Sequence, residues 1–87
     1  MADKLGLVLI DWEDSAQPVA AWQYVDDIAQ PTVVQCQSVG FLIYDGQDVK
    51  VLAPNMGDLD TEHVQASGVI RIPVRSITRV RRLKTGR

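Results

Sequence analysis

A chain of 87 residues has room for one domain with a modest core, burying roughly 60–65% of its unfolded surface, and excludes a second domain. Apolar residues make up 46% of it and the mean hydropathy is −0.02, which excludes a disordered tail; its apolar runs, such as residues 7–10, are strand-sized and exclude a membrane-spanning helix. Charge is sharply divided: residues 1–62 hold all eleven acids against Lys4 and Lys50, a formal −9, and residues 63–87 hold seven cations and no acid, a formal +7. A pI near 5.1 argues against generic coating of nucleic acid because the acidic half repels phosphate, while a local basic patch remains able to bind one defined anion.

Residues 5–12 are rich in β formers and predict a first strand, ended by turn chemistry up to Pro18. In residues 18–28 Ala21, Trp22, Val25 and Ile28 fall on one helical face with Ser15 as a candidate cap, but Asp26 and Asp27 at the C-terminal end oppose the helix dipole. A short helix or structured loop pinned by Trp22 is expected. Residues 32–44 carry the strongest β signal. Val33, Val39, Phe41 and Ile43 share one parity and Val34, Cys36 and Leu42 the other, with Gly40 placed where a bend or bulge would fit. Residues 45–48 read as a hairpin turn with Gly46 available for a positive φ, and residues 49–53 as the returning strand.

Residues 54–68 form the longest irregular stretch, read as a loop. Residues 69–73 predict a short strand ended by Pro73, residues 74–77 one tight helical turn, residues 78–83 a last strand, and residues 84–87 a frayed tail. No repeat or linker divides the chain, so residues 1–87 read as a single domain. The fold class expected is mainly β: a small five-stranded, strongly bent antiparallel barrel with one short helix or structured loop after the first strand.

The segment Ile70-Arg71-Ile72-Pro73-Val74-Arg75-Ser76-Ile77-Thr78-Arg79-Val80 resembles the closing part of Sm-like and Src-homology-3-like barrels, in which a strand, a helical turn and a strand return to pair with the first. Sm-like relatives assemble into rings, so this resemblance implies a homo-oligomer. A broader pattern, Trp12-Glu13-Asp14-Ser15, Trp22, Ser38-Val39-Gly40-Phe41-Leu42 and Ile72-Pro73 followed by Ile77, resembles a group of small uncharacterised bacteriophage and prophage proteins. That resemblance carries no functional residue. It implies a phage gene acting in the bacterial cytoplasm, or a minor virion component.

Motifs for catalysis are absent. Cys36 is the single cysteine and has no base near it in sequence, which gives a structural role, no intrachain disulfide and the cytoplasm as the default compartment. The opening Met1-Ala2-Asp3-Lys4 has no charged-then-apolar signal pattern. No phosphate loop, dinucleotide fingerprint, nucleophile elbow or zinc spacing occurs. His63 beside Asp58, Asp60 and Glu62 reads as a solvated acidic loop far more readily than as a metal site. No cofactor, no metal and no enzymatic activity are expected.

Trp12 and Trp22 are the large anchors, more readily core residues than a stacking surface for a base or a partner's side chain. The sharper candidates are Arg71, Arg75, Arg79, Arg81 and Arg82. On a strand Arg79 and Arg81 face one side and Arg82 the other, and a guanidinium is a planar fork suited to phosphate or carboxylate. Against this stand a solvated edge strand protected by charge, and pairing with the acids around Trp12 on the neighbouring first strand. The leading expectation is a non-enzymatic binding protein that engages a host or viral macromolecule through this arginine-rich end. The alternatives are an oligomer sequestering a small anionic ligand such as a signalling nucleotide, and an Sm-like single-stranded RNA binder.

Overall fold

The computed structural model describes residues 6–15, 18, 20–28 and 32–84; the expectations for residues 1–5 and 85–87 lie outside the described residues. Seven strands are present among them: β1 (Leu7–Asp14), β2 (Val34–Asp45), β3 (Val49–Ala53), β4 (Asn55–Gly57), β5 (Gln65–Ser67), β6 (Ile70–Pro73) and β7 (Ile77–Arg82). Five of them make one antiparallel sheet in the order β6-β3-β2-β1-β7. The sequence neighbours β6 and β7 therefore lie at opposite edges of that sheet. A 3₁₀ turn at Val74–Ser76 carries the chain from one edge to the other, and the Val74 amide donates to the Asp48 carbonyl (2.9 Å), tying the turn to the β2–β3 hairpin.

Alternation builds the core. Val8 and Ile10 on β1, Leu42 on β2, Leu52 on β3 and Ile72 on β6 are buried in one cluster, with Trp12, Ile70 and Ile77 packed against it. β1 contributes alternate residues, as a sheet with one covered face requires, while β3 buries both Leu52 and its neighbour Ala53. The register puts Val8 opposite Gly40 and Leu42 opposite Leu52. Gly40 is needed there for closeness. A Cβ at this position would sit 2.9 Å from the Ala53 carbonyl oxygen, so only glycine lets β2 lie this near β3. The bulge expected at Gly40 falls three residues later, where the pairing skips Ile43 between Leu42 and Tyr44.

Three further expectations are corrected. Gly46 does not use a positive φ, since Asp58 and Gly68 are the described residues that do; the glycine instead makes room for Tyr44, whose ring would lie 2.5 Å from a Cβ. Residues 54–68 are not wholly irregular, because β4 and β5 pair as a two-stranded arm, Met56 opposite Ala66. Its polar, glycine-containing strands carry no alternation that would have marked them. After β1 the chain forms a 3₁₀ turn at Val25–Asp27 with no buried residue. The end of this turn opposes the carboxylates of Asp26 and Asp27, and residues 20–28 are exposed throughout. The molecule is elongated, 57 × 25 × 23 Å, with a radius of gyration of 17.1 Å, against about 12 Å for a compact chain of this length.

Candidate interaction surface

β7 brings the last-strand arginines against the acidic first strand, and the register sorts them. Arg79 lies opposite Asp11 and Arg81 opposite Leu9, on the outward face, whereas Arg82 lies opposite the buried Val8. A bulge at Thr78 offsets the pairing between Asp11 and Trp12, and the Thr78 hydroxyl donates to the Asp11 carbonyl (3.1 Å).

Arg81 is withdrawn from partner binding. Its Nη2 donates to Asp11 Oδ2 at 2.9 Å and the side chain is only 36% exposed. Its Nε is buried without a hydrogen-bond partner, so the guanidinium is held by one end. Gln37 on β2 donates to the other oxygen of the same carboxylate (2.8 Å). This amide, followed by the charge and hydrogen bond of Arg81 and the more distant charge of Arg79, holds the Asp11 carboxyl below its usual pKa against an opposing effect of burial. A parallel rung runs from Gln35 to Glu13 (3.0 Å). Sequence reasoning missed both glutamines. Their signal was parity: Asp11 and Glu13 on one strand and Gln37 and Gln35 on the next point the same way once the strands pair antiparallel.

Arg71, Arg75, Arg79 and Arg82 are exposed. Arg82 lies across Gly6, whose missing side chain leaves the space it occupies. Its charge helps to depress the pKa of Asp45, after the larger effect of Lys50, which bonds that carboxylate across the β2–β3 pair. Arg79 stands beside the already bonded Asp11. Arg75 is on the 3₁₀ turn and Arg71 points outward from β6, between Ile70 and the buried Ile72. Among the described residues, no carboxylate lies within ion-pairing distance of Arg71, Arg75 or Arg79.

The two tryptophans part company. Trp12 is half-buried against the core and its Nε1 donates to Ser38 Oγ (3.0 Å) across the β1–β2 pair. Trp22 is fully exposed, at 102%, with Tyr24 and Val25 each at 82%. The expectation that Trp22 is a core anchor is thus overturned. The helical face on which it would have packed does not form, because a 3₁₀ turn of three residues is too short to present one.

His63 is exposed in its acidic loop, and among the described residues no three His, Cys, Asp or Glu side chains gather as metal ligands. Cys36 is half-buried and unpaired, its Sγ 3.6 Å from the Val34 carbonyl. Shallow depressions lie beside Asp11, beside Asp58, between Asp48 and Arg75, and beside Trp22 and Tyr24. The first two are lined by a carboxylate and no cation, which opposes an anionic ligand there.

No family model, curated protein or solved structure matches this chain. Among the described residues no helix is long and apolar enough to cross a membrane.

Proposed function

We propose that this chain is a non-enzymatic, phage- or prophage-encoded binding protein, acting in the bacterial cytoplasm or in the virion, that engages a host or viral protein through Arg71, Arg75 and Arg79. The sheet order, with a 3₁₀ turn joining its two edges, supports a partly open barrel of the Sm-like or Src-homology-3-like kind as its scaffold. One observation carries the reading: these three guanidinium groups are exposed and uncommitted to any described carboxylate, while Arg81 is spent on Asp11. Arginine without an internal acid keeps its fork of donors for an outside carboxylate or phosphate. Compared with the sequence alone, the surface is narrower by two residues, because Arg81 is bonded to Asp11 and Arg82 lies on the other face of β7, opposite Val8.

The test is capture from host lysate at two salt concentrations, with identification of what is retained. A protein partner should be held by the wild type, lost at high salt, and lost on combined substitution of Arg71, Arg75 and Arg79 by alanine. Undiminished capture by the triple variant overturns the reading. Salt-sensitive retention of single-stranded RNA in place of a protein transfers the same arginines to the RNA-binding alternative.

A further inference from the structure

Residues 20–28 form an amphipathic segment that the other described residues do not cover. Trp22, Tyr24, Val25 and Ile28 are 102%, 82%, 82% and 51% exposed, and Asp26 and Asp27 sit among them, exposed as well. A chemical complement occurs at the end of β7. Val80 faces the core side of the sheet, opposite the fully buried Ile10, yet is 39% exposed. The core is therefore left open along this edge. Beside it stand Arg82, Leu83 (37% exposed) and Lys84. One surface is apolar with two anions, the other apolar with two cations.

We infer that residues 20–28 of one copy seat on the Val80–Lys84 edge of a second copy, and reciprocally, making a two-fold dimer. The apolar side chains cover the open core edge, and Asp26 and Asp27 meet Arg82 and Lys84. Area favours reciprocity. The four apolar side chains offer roughly 600 Å² and their partly exposed seat roughly half as much, so one arm alone covers on the order of 900 Å², below the size of a specific interface. Two arms related by a two-fold axis double this into the range of stable dimers. Arg71, Arg75 and Arg79 lie outside the contact, so the dimer is independent of the partner surface proposed above.

Charge exchange tests the pairing. The wild type should sediment increasingly as a dimer as its concentration is raised to about 1 mM. The arm variant Asp26→Lys with Asp27→Lys, and the seat variant Arg82→Glu with Lys84→Glu, should each weaken self-association by about tenfold or more, because like charges then face each other. Mixed one to one, the two variants should form a heterodimer, since both contacts are again complementary. Trp22→Ser with Tyr24→Ser should also give a monomer, with an unchanged far-ultraviolet spectrum; this variant decides the matter if the seat variant fails to fold. A wild type that stays monomeric, an arm variant that dimerises like the wild type, or two folded variants that do not associate when mixed would each overturn the inference. None of these outcomes bears on capture through Arg71, Arg75 and Arg79.

Discussion

Arg81 on the last strand and Asp11 on the first, 70 residues apart in sequence, meet at 2.9 Å across the β1–β7 pair. This contact fastens the last strand to the sheet and takes one guanidinium out of the exposed basic set. Asp11 is shared, because Gln37 reaches it from the strand on the other side. The carboxylate thus bridges three neighbouring strands.

That arrangement sets a pH dependence. A carboxyl whose pKa is depressed in the folded state adds stability above its unfolded value, near pH 4, and that stability is lost as the pH falls through the folded value. Substituting Gln37 by alanine should raise the Asp11 pKa, and so should Arg81→Ala, which removes both a charge and a hydrogen bond. Carbon-detected NMR titration of the Asp11 carboxyl checks both. Acid unfolding of Asp11→Asn should be less steep in the same range.

Trp12 and Trp22 predict opposite responses. Ser38→Ala removes the acceptor of the half-buried Trp12 indole and should cost about 1 kcal/mol, roughly 4–8 °C in Tm. Trp22→Ala, at a fully exposed site, should change the stability of the isolated fold by about 0.5 kcal/mol or less. Thermal unfolding at low protein concentration, where self-association does not contribute, separates the two.

Gly40 and Gly57 give a second contrast. Gly40→Ala drives a Cβ toward the Ala53 carbonyl at 2.9 Å, where backbone has to move, and should destabilise by about 1–3 kcal/mol. A Cβ at Gly57 meets nothing within 4 Å, so Gly57→Ala should be near neutral. Urea midpoints with an unchanged m-value report the difference.

Ile10 and Ile72 are fully buried in a core with few other members. Replacing either by alanine should cost about 2–5 kcal/mol, enough to unfold much of a small domain at ambient temperature. Loss of the cooperative unfolding transition is the expected reading.

Strand positions could be anticipated where β formers cluster, and Pro73 marks the end of β6 because it cannot donate to a ladder. The buried face of Val8, Ile10 and Leu42 was not marked, since residues 7–10 and 33–43 are apolar on both parities. The β4–β5 arm was not legible, since its polar strands are held by pairing and show no apolar period. Nor was the role of Gly40, because the approach of the Ala53 carbonyl belongs to another strand.

The linear chain by itself determined a small, mainly β domain with an acidic front and a basic end, because alternation, turn residues and charge are properties of neighbours in sequence. Only the tertiary structure decided which arginine is neutralised and which tryptophan is buried. Those outcomes depend on register between β1, β2 and β7, and register is a relation between segments far apart along the backbone.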